Sequence, residues 1–320
     1  MVSPFACAPY IKTIGRGARG ARGLSEDAAY TLYRAILNGH VSDLELGAVL
    51  LAYRIKGEDA LEIAGMLRAA HEHVACVHAP RERIGVSLAS YNGARKVPNL
   101  VPLLAMALAR RGVPVVVHGV RSAPARVSTA EVFAALGITP CESMLQAQTH
   151  INEAGLAFVP IDVISPALAG QIVLMAPLGV RNSAHTLAKL IEPFTTPSLR
   201  LVNYTHEAYF DMLATYFSQA QHAPGPGVLV ARGTEGEAVA DTALARAATW
   251  FHDGQSRGVL TASEGPRTVS AAGSDTSAEA TARYIRDVLD GECEMPAAIG
   301  AQIDLIESIV TTATAPVHTQ

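Results

Sequence analysis

From Ile84 onward the chain repeats one pattern: a brief apolar run ends beside a glycine or polar turn, and a helix-like stretch follows. The runs at 84–89, 113–118, 157–160, 228–231 and, more weakly, 259–261 are too short for helices, and their separation predicts parallel strands joined by helices. Ligands of such sheets gather at the carboxyl ends of the strands. Gly93, after the first run, and Gly119, closing Val115-Val-Val-His-Gly119, both fall there.

The part before Ile84 has a different period. Ser25-Glu-Asp reads as a helix start, with Ala28, Leu32, Ile36 and Leu37 recurring at helical spacing until Asn38-Gly39. A second helix runs from Ser42 to Lys56-Gly57 and a third from Asp59 to about His73, while 165–192 reads as helical again and rejoins this module. At 320 residues, 49% of them apolar, the chain can bury two cores. The expectation is an α/β protein: a small all-helical domain from 1–76 and about 165–193, and a large α/β domain from 77–164 and 194–320 with a mainly parallel central sheet. The loops at 223–227 and 264–275 read as Pro/Gly/Ser-rich turns or mobile segments.

Composition narrows the chemistry. Cys7, Cys76, Cys141 and Cys293 form no C-x-x-C pair, which points to reduced thiols, a cytoplasmic setting and no structural zinc. His71-Glu72-His73 with His78 reads as a helix end rather than a metal site, because residues two apart do not share a helix face. No signal peptide is expected, since no positive charge precedes the first apolar residues and prolines stand at 4 and 9. Asn99, Arg110 and Arg111 break the most apolar stretch, so no membrane span is expected.

Net charge is −4, but it is segregated. Arg81, Arg83, Arg95, Lys96, Arg110, Arg111, Arg121 and Arg126 share their stretch with one acid, Glu82, and Lys12, Arg16, Arg19 and Arg22 precede any acid at all. One positive face on an acidic protein follows as an expectation. Arg110-Arg111 reads more simply as the basic last turn of a helix. Arg16, Arg19 and Arg22, set among glycines, read as a basic arm or as a solvated lead-in to the first helix.

Several motifs resemble anthranilate phosphoribosyltransferase in order and spacing: Gly39-x-x-Ser-Asp43, Lys56-Gly57-Glu58 with Glu62-Ile-Ala-Gly-Met66, Val117-His-Gly119, Leu136-Gly-Ile138, Leu178-Gly-Val-Arg181 and Gly233-Thr-Glu-Gly236. Three stretches, Tyr91-Asn-Gly-Ala-Arg-Lys96, Pro114-Val-Val-Val-His-Gly119 and Gly179-Val-Arg-Asn-Ser-Ala-His-Thr-Leu-Ala-Lys-Leu190, are similar to the YbiB-type branch of that family nearly letter for letter. The resemblance implies the transferase fold, dimerisation through the small domain, and, for the branch, nucleic-acid binding without sequence preference.

Against the family's catalytic pattern the chain shows losses. The glycine-rich diphosphate loop becomes Ser90-Tyr-Asn-Gly-Ala94, the hydroxyl-bearing helix start becomes Asn99-Leu-Val-Pro102, the Lys-His-Gly-Asn stretch becomes Val117-His-Gly-Val120, and the acidic pair that would hold Mg²⁺ becomes Glu237-Ala-Val239. Side-chain cations bind phosphate backbones without a glycine cradle or a metal. The expected phosphate and nucleic-acid contacts are therefore Arg95, Lys96, Arg121, Arg126, Arg181 and Lys189, with Asn92, Gly93, His118, Gly119, Arg181 and Asn182 lining an ancestral substrate cleft. Partners are then DNA or RNA, a second copy of the chain, and a small anion such as phosphate or sulfate in the cleft, with no cofactor. The alternative is a phosphoribosyltransferase or phosphorylase acting on another substrate, for which Mg²⁺ would be the cofactor.

Overall fold

A computed structural model describes residues 5–80, 83–219, 225–244, 246–262 and 273–314. Arg81, Glu82 and, in the two Pro/Gly/Ser-rich loops, residues 223–224 and 264–272 lie outside the described residues.

Five helices come first: α1 (Ala8–Ile14), α2 (Gly17–Gly20), α3 (Glu26–Leu37), α4 (Asp43–Lys56) and α5 (Ala60–His71). Side chains at the caps set the three long ones. Ser25, Ser42 and Asp59 accept the N–H of Ala28, Glu45 and Glu62, and Asp59 with Glu62 forms a reciprocal capping box. Tyr33, Tyr53, Ile63, Met66 and Leu67 fill the space between these helices. The 16–22 stretch is no extended arm: Gly17–Gly20 is helical, and Arg22 donates to the carbonyls of Arg19 and Ala21. Arg16, Arg19 and Arg22 remain exposed on it.

The rest alternates as the sequence pattern requires: β1 (Val86–Ser90), α6 (Val101–Arg110), β2 (Val115–Gly119), α7 (Thr129–Ala135), α8 (Met144–Ala154), β3 (Leu156–Pro160), α9 (Ile161–Ile164), α10 (Pro166–Ile172), α11 (Met175–Leu178), α12 (Ala184–Leu187), β4 (Leu199–Asn203), α13 (Glu207–Gln219), β5 (Val228–Ala231), β6 (Ala248–His252), β7 (Gln255–Leu260), α14 (Ala278–Leu289) and α15 (Ala297–Thr314). One sheet runs in the order β3-β2-β1-β4-β5-β6-β7. The first five strands are parallel, and β6 and β7 join antiparallel. Two strands escaped the pattern: β4, whose Leu-Arg-Leu-Val-Asn carries a charge within its apolar run, and β6, Ala-Thr-Trp-Phe-His, which sits on the sheet's partly covered side.

Alternate residues of each strand face two separate cores, as the two-residue pleat demands. Leu88, Val115, Val117, Phe158 and Leu201 pack with α6, α7, α14 and α15. Ala89, Val116, Val159, Val202 and Val230 pack on the other side, in one cluster with the N-terminal helices and with α10, α12 and α13. The strand order reverses between β1 and β4, since β2 and β3 lie on one side of β1 and β4 and β5 on the other. Such a reversal opens a crevice at the strands' carboxyl ends. The loops after β1 and β4 diverge there, beneath the helical layer.

Candidate functional site

The loop after β1 turns at Gly93, whose φ of +66° suits a residue without a Cβ. Its five consecutive N–H groups, from Asn92 to Lys96, are each already engaged. Those of Asn92 and Gly93 donate to Glu237 Oε1 at 2.8 and 2.6 Å, that of Ala94 to the Val127 carbonyl at 2.9 Å, and those of Arg95 and Lys96 to Glu235 Oε2 at 2.5 and 2.9 Å. The loop is thus stitched to the 233–237 turn after β5. Asn92 adds its amide, donating to the carbonyls of Glu235 and Gly236. Gly236 takes a φ of +87°, which suits a residue without a Cβ, and lies directly against the Asn92 amide.

Beside this loop lies a cavity of about 220 Å³ between the helical layer and the sheet. Arg54, Arg181 and Lys189 line it together with Asn92, His185, Asn203 and His206. Arg181 Nη1 donates to Asn92 Oδ1 at 2.9 Å, and Arg126 Nη1 donates to the Gly93 carbonyl at 3.1 Å, so both guanidiniums are fixed on the loop. No salt bridge to a carboxylate engages Arg54, Arg95, Lys96, Arg126, Arg181 or Lys189 among the described residues.

These charges perturb one another. Burial lowers Lys189 to about 8, with Glu237 opposing the shift and Arg181 adding to it. Burial, then Arg181, brings His185 down to about 4, so its ring is neutral near pH 7. Burial chiefly, and next Arg126, lowers Arg181. An anion entering the cavity relieves this repulsion. The Tyr53 and Asn203 side chains border the cavity, with Tyr53 Oη and Asn203 Nδ2 themselves buried away from solvent. The cavity therefore offers cations without paired carboxylates among the described residues.

Several expected site residues land elsewhere. Arg121 does not line the cleft: it is held between Glu142 at 2.8 Å and Asp162 at 3.0 Å on the surface. His118 is 1% exposed and stands in the core with Nδ1 2.8 Å from the Tyr91 hydroxyl, because its place on β2 points it under the 90–96 loop rather than into the opening. Gly119 serves sheet packing, since a Cβ there would lie 1.8 Å from the Ser90 carbonyl. Asn182 borders the cavity, but its amide donates to the Gln171 carbonyl and its Oδ1 accepts the Ala184 N–H. Arg95 and Lys96 keep side chains that reach solvent. Arg54, His185 and the 203–206 segment were missed, and Arg54 carried no signal beyond being a charge near a helix end.

Burial holds the His118 ring neutral, its pKa pushed down to about 3 from an ordinary 6.5. Because the folded value lies below the unfolded one, the contribution is complete above pH 6.5 and is lost as pH falls toward 3. Urea unfolding should therefore show stability dropping by about 3 kcal/mol between pH 7 and 4.5 on this account. In His118→Gln that part of the drop should vanish. Glu237, shifted upward mainly by burial, has the opposite sign and cancels in the comparison of the two proteins.

A Mg²⁺ site of the transferase kind does not fit these residues. Glu235 and Glu237, the carboxylates nearest the loop, each spend one oxygen on two backbone N–H groups, which leaves Glu237 Oε2 buried and too few free oxygens converging to hold a divalent cation. Among the described residues no group of three or more His, Cys, Asp or Glu is arranged around a metal position.

Comparison with known proteins places this architecture. The model of the glycosyl transferase family helical bundle domain matches residues 8–74. The Escherichia coli (strain K12) protein YbiB is 45% identical over 233 residues, 72% of each chain. Anthranilate phosphoribosyltransferase 2 of Ralstonia nicotianae is 31% identical over 181 residues, and the match spans 57% of this chain and 52% of that relative. Among solved structures, anthranilate phosphoribosyltransferase of Thermus thermophilus superposes with a TM-score of 0.68 over 92% of this chain and 93% of that one, at 23% identity. The Saccharomyces cerevisiae enzyme, solved in complex with PRPP and Mg, gives 0.71 over 96% and 94% at 14% identity. Helical bundle, overall fold and sequence identity agree, and the chain belongs to the YbiB branch of the anthranilate phosphoribosyltransferase-like glycosyl transferase family.

Proposed function

We propose that the cleft takes a sugar phosphate and that the chain's activity class is pentosyl-group transfer or phosphorolysis, without a metal-bound diphosphate donor. One observation carries this: Arg54, Arg181 and Lys189 converge on one cavity, Arg126 stands beside them, and none is salt-bridged to a carboxylate among the described residues. A phosphate is the anion that guanidinium forks and an ammonium take together. Lys189, with its pKa at about 8, can give or take a proton at neutral pH. Calorimetric titration with ribose 5-phosphate and with ribose tests the reading. Binding of the phosphate ester and not of ribose is expected; no binding of either, or equal binding of both, sinks it.

A second reading, nucleic-acid binding through the phosphate backbone, is favoured by Arg95 and Lys96. Their side chains reach solvent at the rim while their N–H groups are tied down, which holds two cations at a set spacing. Filter binding of single-stranded DNA across a salt series should show affinity falling with salt, and Arg95→Ala with Lys96→Ala should reduce the log–log slope by about 1.4. Affinity indifferent to salt would remove the idea. Tyr91, within the loop, is buried, while Tyr204 and Tyr209 line the cavity beside it and are the aromatic faces open to stacking in this mode.

For oligomeric state the exposed apolar side chains of α4, Leu44 at 86% and Ile55 at 74%, with Leu51 between them, support pairing with a second copy. Ile55→Glu should shift sedimentation from dimer toward monomer; a wild-type protein that sediments as monomer would refute the pairing.

A further inference from the structure

The stitching of the 90–96 loop has a chemical meaning of its own. Pairs of successive backbone N–H groups, such as those of Asn92 with Gly93 and of Arg95 with Lys96, form concavities that hold anions. Both are filled from within the chain. Glu237 Oε1 sits on the first pair and Glu235 Oε2 on the second, so two carboxylates of one turn, two residues apart, occupy two neighbouring anion positions.

Three features show that this filling is built in. Glu235 adopts a left-handed conformation, φ +52°, which a side-chain-bearing residue sustains only where surrounding contacts hold it. Gly233 must be glycine, since a Cβ would lie 1.9 Å from the Glu237 carbonyl, and Gly236 sits at φ +87°, a conformation glycine favours. Glu237 is 1% exposed, and its Oε1 accepts the N–H groups of both Asn92 and Gly93 from within the core. The Asn92 amide then binds the turn a second time through the carbonyls of Glu235 and Gly236.

We propose that Glu235 and Glu237 are specificity determinants of the site: their carboxylates occupy the anion positions of the 90–96 loop and exclude diphosphate ligands from it. Ligands are thereby restricted to those that the side-chain cations of the cleft can hold. This restriction deepens the sugar-phosphate reading and rests on it, whereas the exclusion itself stands on the loop geometry alone.

The two carboxylates differ in access. Glu235 is partly exposed, and removing it opens the Arg95 and Lys96 N–H groups directly to solvent, flanked by their own cationic side chains. Removing buried Glu237 would instead leave a hole facing the core. Glu235 is accordingly the residue to change.

The experiment is calorimetric titration of inorganic pyrophosphate into four proteins: wild type, Glu235→Ala, Arg54→Ala, and the double variant. Glu235→Ala is expected to bind pyrophosphate about tenfold more tightly than wild type, two charge-assisted backbone contacts having become available. The same gain is expected when Glu235→Ala is made in the Arg54→Ala background. Unchanged affinity overturns the proposal, and so does a gain that disappears with Arg54, since the anion then lies in the cleft. The comparison of wild type with Arg54→Ala reads the cleft alone, so failure of the cleft reading and failure of the exclusion give different results. Circular dichroism checks folding of each variant. Should Glu235→Ala be unfolded, Glu235→Gln keeps the side chain's length without its charge and must shift affinity in the same direction, by about threefold, with no shift counting against the proposal.

Discussion

Replacing Arg181 and Lys189 together by alanine and methionine is expected to weaken ribose 5-phosphate binding about a hundredfold, roughly 3 kcal/mol. Each removes one charged donor from the cavity, and each charge-assisted contact to phosphate contributes about 1.5 to 3 kcal/mol. The sum falls short of simple addition because the two cations repel, and losing one relieves the other. Methionine retains most of the Lys189 stem's packing, so the loss reports charge rather than a void. The same titration carries a pH signature. Lys189 loses its proton at about pH 8, so wild-type affinity should hold below that and fall above it, and the fall should be absent in the double variant. Arg121→Ala is the control: its guanidinium is tied to Glu142 and Asp162 on the surface, and its loss should leave binding within about a factor of two of wild type. A loss of about threefold or less in the double variant, or an equal loss in the control, would remove the cleft as the phosphate site.

The largest stability effect is expected at Glu62. Its carboxyl is fully buried and accepts from the Leu24 N–H at 2.8 Å, the Asp59 N–H at 3.0 Å and the Lys56 ammonium at 2.6 Å, and with Asp59 it closes the capping box of α5. Glu62→Ala strands two N–H groups and leaves an ammonium that is 12% exposed without its counter-charge. The cost should be about 3 to 5 kcal/mol in urea unfolding, the range for breaking a buried ion pair from one side. Glu62→Gln keeps an acceptor oxygen and should cost roughly half as much. Binding should suffer as well, because the turn that Glu62 holds, Lys56-Gly57-Glu58, leads directly from the helix end bearing Arg54 into the cleft. Destabilisation below about 1 kcal/mol in Glu62→Ala would mean that solvent replaces the carboxylate at little cost.

Local chemistry made much of this fold legible. Ser25, Ser42 and Asp59 announce helix starts because their oxygens reach N–H groups three residues on, and the structure uses all three. Short apolar runs next to glycines announce buried parallel strands, and β1, β2, β3 and β5 stand where the pattern puts them. β4 was hidden because Arg200 interrupts its run, and that charge is tolerated through a distant arrangement: its guanidinium donates to the Leu190 carbonyl, pairs with the Glu192 carboxylate and lies over the Phe217 ring.

The site was less legible, for a definite reason. Gly93, Arg126, Arg181 and Lys189 could be singled out as residues of suitable chemistry near strand ends, and the structure brings them to one region. Nothing in the sequence near Glu235 and Glu237 told that their carboxylates would lie on N–H groups 139 to 145 residues earlier. The sequence by itself determined the period of each element, its caps and the glycines at its turns, because those depend on neighbours within one turn or one strand. Only the tertiary structure decided which anion sits in the 90–96 loop, that His118 is buried rather than presented, and that Arg54 faces Arg181. Those outcomes depend on where β4 and β5 cross beside β1 and on how the helical layer seats against the sheet, contacts between segments that share no local pattern.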